Sequence, residues 1–209
     1  MILVVGANGN MGGRYKAILR HLNKSYCGVD RDDDLPKTYS LAKQADGIII
    51  ATPTTTHINY LNVFADLGKP ILCEKPFSTE IEQVRDVTDR LSRNSCRASM
   101  VSQYHELVDP RSKGDSEYDY FKHGQDGLVW DCIQIIGHAK GIVSIREGSP
   151  IWRCTINGKK LDLGDMDGAY VRHVAQWLKG HHQDLGEILE FHEKTHDYHA
   201  GYTGNANHS

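Results

Sequence analysis

Four short stretches of the chain combine residue types that can do chemistry. Gly6-Ala7-Asn8-Gly9-Asn10-Met11-Gly12-Gly13 is a glycine-rich run between an apolar segment and a helical pattern. Glycines let a backbone approach a pyrophosphate, and the helix N-terminus that follows offers it unpaired N–H groups and a positive dipole end. Asp30 stands about 20 positions after that loop, where a carboxylate accepts hydrogen bonds from the adenosine ribose hydroxyls of a dinucleotide. Its plain alternative is one more carboxylate in an acidic loop with Asp32, Asp33 and Asp34. Arg31, next to it, could instead cradle a 2′-phosphate, so the residues favour NAD and leave NADP open. Further on come Thr52-Pro53-Thr54-Thr55-Thr56-His57 and Glu74-Lys75-Pro76. The second places a carboxylate, an ammonium and a ring-locked residue side by side, which suits either a surface turn or a working site.

Each of these stretches follows a predicted strand. Ile2–Val5 is apolar and β-branched, and the helix after the glycine run has apolar positions at Ala17, Ile18 and Leu22. Strand, glycine turn, helix is the context that a dinucleotide motif requires, although the spacing is GxxGxxG, with Asn8 at the usual second glycine. A second strand spans Tyr26–Val29. The third, Gly47–Ala51, is a continuous apolar run, as expected of a strand buried on both faces. A helix through Tyr60, Leu61 and Phe64 follows it. The fourth strand is Ile71–Cys73, and the helix beyond opens with a capping box at Ser78-Thr79-Glu80-Ile81-Glu82 and continues to about Arg93. A fifth strand spans Arg97–Tyr104. Such alternation predicts a Rossmann-type, doubly wound parallel sheet over residues 1–104. Ligands of such sheets sit off the carboxyl ends of the strands, where all four stretches lie.

A formal net charge of −3 and the lack of a basic run argue against nucleic acid as a partner. The longest apolar stretches fall far short of the roughly 18 residues that span a bilayer. The chain goes straight into a strand at Ile2, without a secretory signal pattern. Five scattered cysteines, never paired as CxxC, read as structural thiols of a reduced, cytoplasmic protein. "HEKTH", His192–His196, matches HExxH, with His199 as a possible third ligand. It lies in a His-rich polar stretch with no surrounding ligand domain, so no metal site is assigned.

"GANGNMGGR", "VDR", "IIIATPTTTH" and "ILCEKPF", in this order, resemble the Gfo/Idh/MocA oxidoreductases over residues 1 to about 104. Glu-Lys-Pro after a cysteine-ending strand is the most specific mark. The glycine spacing is also similar to dihydrodipicolinate reductase, which lacks that mark. The resemblance implies an NAD(P)-dependent dehydrogenase acting on a sugar-type or polyol-like alcohol or ketone. It assigns Gly6, Gly9 and Gly12, with Asn8, Asn10 and Met11 between them, to the phosphate loop, and Asp30 to the ribose. Thr52, Pro53, Thr54 and His57 would line the cofactor, Glu74 would lie near the nicotinamide ribose, and Lys75 at the reacting carbon. A cis peptide before Pro76 would aim that lysine into the cleft. Hydride transfer needs a group for the hydroxyl proton, and a lysine near a positive nicotinamide can have its pKa lowered for the task.

Residues 105–209 depart from the pattern. A charged, Gly-containing loop (109–127) precedes strand-like or helical runs at Leu128–Ile136 and Gly141–Arg146. A hairpin follows, Trp152–Ile156 and Lys160–Leu163, turned by Asn157-Gly158, a type I′ signal. A closing helix runs from about Ala169 to Lys179. The expectation is a small α+β domain with a mainly antiparallel sheet that hides one face by self-association, as a homodimer or larger. The family's substrate-side relay is Asp, three residues, then His. Here Asp131 has Ile135 four positions on, and His138 comes seven after it, so both are candidate helpers without the family spacing. The alternative function is therefore a dinucleotide-binding sensor or partner subunit without turnover.

Overall fold

The computed structural model describes residues 1–107, 115–119, 130, 132–146, 153–156 and 158–205. They gather into two compact units, Met1–Val101 with Val174–Leu189, and Ser102–His173 with Glu190 onward.

The first unit is built on five parallel strands in the order β2-β1-β3-β4-β5: β1 Ile2–Val5, β2 Tyr26–Val29, β3 Gly47–Ile50, β4 Ile71–Cys73 and β5 Ala98–Met100. Helices α1 (Asn10–His21), α2 (Leu35–Gln44), α3 (Thr54–Phe64) and α4 (Ile81–Arg93) connect them. The apolar runs follow from their position. Leu3, Val4, Ile48, Ile49, Ile50, Ile71 and Leu72 are all at 0% exposure, which only a sheet covered on both faces allows. The helices bury one stripe each, as α4 does with Val84, Val87, Thr88 and Leu91. Register then does the functional work. Val5 pairs with Val29 and Ile50, Ile50 with Cys73, and Cys73 with Met100. The residues just beyond these, from Gly6, Asp30, Ala51 and Glu74, therefore leave the sheet along one row. The fifth strand is shorter than its apolar pattern, because the chain turns into a 3-10 segment at Gln103–Glu106.

The second unit holds a four-stranded sheet in the order β7-β6-β8-β9. Strand β6 (Ser116–Asp119) is parallel to β7 (Val143–Arg146) and antiparallel to β8 (Arg153–Ile156), which pairs antiparallel with β9 (Lys159–Lys160). Two of its three pairings are antiparallel. Ile156 pairs with Lys159, and Gly158 adopts φ 74°; Asn157 of the Asn-Gly signal lies outside the described residues. The apolar run before β7 resolves into a helix, α5 (Ile133–His138). The second hairpin strand is shorter than its pattern, since Leu163–Asp165 forms a 3-10 turn into α6 (Met166–Leu178). Tyr104, Cys132, Ile135, Ile136, Cys154, Ile156 and Leu161 make this unit's core. The polar C-terminal stretch is a 21-residue helix, α7 (Leu185–Asn205), that the sequence reading missed. Asp131 and most of the charged 109–127 loop lie outside the described residues. No helix among the described residues is long and apolar enough to cross a membrane.

Candidate functional site

The glycine run turns sharply off β1. Gly6 sits at φ 82°, in the left-handed region, and a Cβ there would lie 2.7 Å from the Ala51 carbonyl oxygen. A Cβ at Gly12 would lie 2.1 Å from the Gly6 carbonyl oxygen, so the first turn of α1 can close under the loop only without a side chain. The loop N–H groups divide their roles. Gly9 donates to the Gly6 carbonyl at 3.1 Å, while Asn8 donates to Asp30 Oδ2 at 2.8 Å.

Asp30 is thereby fixed. Its Oδ1 accepts the Arg31 N–H at 2.9 Å, and its own N–H donates to Asp33 Oδ2 at 2.9 Å. The two bonds that the carboxylate accepts favour its ionised form. The Asn8 N–H first, then that of Arg31, hold the Asp30 carboxyl below its ordinary value. A carboxylate has about four lone-pair positions, so this one keeps acceptor capacity toward the cleft.

Glycine loop, Asp30 and the loop after β3 surround a cleft of about 540 Å³. Of the residues expected at the cofactor, Gly6, Asn8, Gly9, Asp30, Arg31, Thr52 and Pro53 form its walls. Asp32, Ala51, Thr56 and Tyr60 complete them, and these four were not anticipated. Thr56 and Tyr60 follow Thr52 at i+4 and i+8, a helical spacing that would have marked them. Thr56 Oγ1 and Thr52 Oγ1 are 2.8 Å apart. The cleft fits part of a dinucleotide: the glycine loop, up to the Gly9 N-cap of α1, and a fixed carboxylate line one space.

The walls do not include Asn10, Met11, Gly12, Thr54, His57, Glu74 or Lys75. Asn10, Met11 and Gly12 form the first turn of α1 and Thr54 that of α3. His57 is buried, its Nδ1 2.7 Å from the Pro76 carbonyl oxygen and its Nε2 2.7 Å from that of Thr52. Glu74 is also buried and accepts from the Tyr15 hydroxyl at 2.5 Å and from the Lys75 N–H at 3.2 Å. Lys75 itself is half-buried, and the Lys75–Pro76 peptide bond is cis.

In the second unit, His138 Nε2 lies 3.2 Å from Ser102 Oγ, and its ring meets Phe191 edge-on with centroids 4.9 Å apart. The Ser102 N–H donates to His173 Nε2 at 3.2 Å, and His173 Nδ1 faces Glu106 Oε1 at 3.8 Å. His173 and Glu106, linked to His138 through Ser102, were not singled out by the sequence reading. Asp131 cannot be placed among them, being outside the described residues. In the HExxH stretch, His192 is buried beside Trp130 while half of the His196 side chain is exposed. No group of three or more His, Cys, Asp or Glu side chains among the described residues is placed to hold a metal ion. Burial pushes the Cys96 thiol up to about 11 and that of Cys154 up to about 12, which keeps both protonated.

Comparison with known proteins agrees with this geometry. Residues 23–102 match the family described as an oxidoreductase family with an NAD-binding Rossmann fold, Gfo/Idh/MocA. An inositol 2-dehydrogenase of Mycolicibacterium smegmatis is 40% identical over 88 residues, 42% of this chain and 25% of that protein. The rhizopine catabolism protein MocA of Rhizobium meliloti is 42% identical over 52 residues, 25% of this chain and 16% of its own length. The chain thus spans a quarter or less of each of these relatives. Among solved structures, a Gfo/Idh/MocA family oxidoreductase from Vibrio cholerae superposes with a TM-score of 0.74 at 12% identity, covering 99% of both chains. The WlbA dehydrogenase of Thermus thermophilus, in complex with NAD and UDP-GlcNAcA, gives 0.72 at 12% identity over 93% of both. At such identities the two structures establish a shared fold.

Proposed function

We propose that this chain, whose residues 23–102 carry the NAD-binding Rossmann fold of the Gfo/Idh/MocA oxidoreductase family, is an NAD-dependent oxidoreductase acting on CH–OH groups. The observation that carries the reading is the Asp30 carboxylate, held by two backbone N–H groups on the wall of a cleft that the glycine loop also lines. Gly6, Asn8 and Gly9, with the N-terminus of α1, would receive the pyrophosphate, and Asp30 the adenosine ribose hydroxyls. Arg31 Nε lies 3.7 Å from the Asp32 carboxylate, so a 2′-phosphate would meet Asp30 and Asp32 beside a guanidinium already facing a carboxylate. That supports NAD over NADP.

The nicotinamide, when bound, supplies the hydride acceptor or donor. Lys75 would hold the proton at the substrate oxygen, taking it from the hydroxyl as an alcohol is oxidised and returning it when a ketone is reduced. His138, against Ser102, and Asp131 are the proposed helpers on the substrate side. The matched inositol dehydrogenase and the nucleotide-sugar complex support a substrate that is a polyol, sugar or nucleotide sugar. A homodimer or larger assembly, formed through the sheet of the second unit, belongs to the same proposal. One observation favours the other reading, a dinucleotide sensor without turnover: His138 Nε2 already faces Ser102 Oγ.

The test pairs NADH fluorescence titration with turnover of NAD and myo-inositol, and of a panel of polyols and nucleotide sugars. Lys75→Met should bind NADH nearly as the parent does, while turnover falls about 10²- to 10⁴-fold, the usual worth of an acid–base group. Undiminished turnover sinks the lysine's role. Tight NADH binding by the parent chain with no turnover across the panel selects the sensor, and failure to bind NADH removes both readings.

A further inference from the structure

The turn that carries Lys75 is held by two buried polar ties. From α3, the His57 ring (1% exposed) reaches two carbonyl oxygens at once, those of Pro76 and Thr52, each at 2.7 Å. Thr52 belongs to the wall of the dinucleotide cleft, and Pro76 directly follows Lys75. A neutral imidazole donates from one nitrogen and an imidazolium from both, so the ring is chemically able to fasten one segment or the two together. On the other side of the turn, Tyr15 (0% exposed) donates from α1 to Glu74 Oε1, and Glu74 Oε2 accepts the Lys75 N–H. None of the three side chains lines the cleft. Burial of an imidazole, a phenol and a carboxyl at one strand end is costly unless each is paired, and the bonds described above tie them to the turn and to the cleft wall beside it.

We propose that His57, assisted by the Tyr15–Glu74 pair, is a positioning residue for Lys75. It sets the distance between the loop against which the dinucleotide would lie and the backbone that presents the amine. The inference rests on the cleft and lysine roles proposed above, and it gives His57 and Glu74 tasks other than contact with the cofactor. The ring acts through two main-chain carbonyls, so its removal changes where the lysine is held while the glycine loop and Asp30 keep their own bonds.

The test uses the full chain as His57→Ala and Tyr15→Phe, the second removing only a hydroxyl. NADH affinity is measured together with the rate at which pyridoxal 5′-phosphate, trapped with borohydride, modifies Lys75, read by peptide mass against exposed Lys24. The expected result in His57→Ala is Lys75 labelling raised about three-fold or more, with NADH affinity within about three-fold of the parent. Added imidazole should then return the labelling toward the parent rate. A merely structural role would raise labelling at many lysines together and show no imidazole rescue. Unchanged Lys75 labelling in a folded His57→Ala overturns the proposal. Should that variant fail to fold, unchanged labelling in Tyr15→Phe overturns it equally. A parent chain that does not bind NADH overturns the cofactor reading instead and leaves the labelling comparison intact.

Discussion

Replacing Asp30 by Ala removes two things at once. The carboxylate oxygens now accept the N–H groups of Asn8 and Arg31 at 2.8 and 2.9 Å, and in the complex they would also face the ribose hydroxyls. A hydrogen bond to a charged group contributes about 1.5–3 kcal/mol, and the half-exposed position argues for the lower part of that range per bond. Two ribose bonds, reduced for solvent competition, come to about 2–3 kcal/mol, or roughly a 30- to 150-fold rise in the dissociation constant of NADH. NADPH should respond differently. Its 2′-phosphate is opposed by the Asp30 charge, so the substitution removes a repulsion and leaves its affinity unchanged or improved. Fluorescence titrations of NADH and NADPH at one fixed ionic strength read both numbers, with Tm recorded to confirm folding. An NADH affinity altered less than about three-fold, or an equal loss for both dinucleotides, would refute the reasoning.

Two further outcomes test the framework around that carboxylate. Gly12→Ala places a methyl 2.1 Å from the Gly6 carbonyl oxygen, so the loop must move; NADH binding should be lost and Tm lowered by several degrees, as calorimetry and titration would show. Stability should also fall in acid. Asp30 and Glu190 have folded pKa values below their ordinary 3.8 and 4.5, through backbone N–H bonds in the first case and the Lys194 ammonium in the second. A depressed carboxyl pKa stabilises the fold above the unfolded value and loses that contribution as pH falls through the folded one. Tm should therefore decline below about pH 4.5, and the decline should be shallower in Asp30→Asn.

The first sheet was legible because β1, β3 and β4, buried on both faces, must be apolar throughout, and the glycine, acidic and Glu-Lys-Pro signals stand where they end. The burial of His57 and Glu74 was not. A buried imidazole and a cleft-lining one have the same sequence signature, and only the opposing carbonyls of Thr52 and Pro76 tell them apart. Helix α7 escaped for a related reason. Its stretch is rich in His, with Gly186 near its start, so local propensity is poor. Tertiary burial of Ile188, Phe191, His192 and Thr195 sustains it, and Thr195 Oγ1 satisfies itself on the Phe191 carbonyl at 2.7 Å. The i+4 and i+8 spacing of Thr56 and Tyr60 from Thr52 was present in the sequence and could have marked them as companions of Thr52 on the cleft wall.

The first unit is not contiguous in the chain, and its make-up has a bearing on synthesis. Residues Val174–Leu189 belong to it, with Val174, Trp177 and Ile188 buried and the Trp177 ring lying against Gly47 near the start of β3. During translation the five parallel strands leave the ribosome long before this segment exists. The nascent sheet must wait with that flank bare, an aggregation hazard of the kind that unfinished domains present. An excised 1–104 fragment would keep every residue of the glycine loop and the Asp30 clamp yet inherit the same uncovered patch. Expression of the nucleotide-binding half alone therefore calls for a graft of 174–189, or a polar surface in place of the one that Trp177 covers.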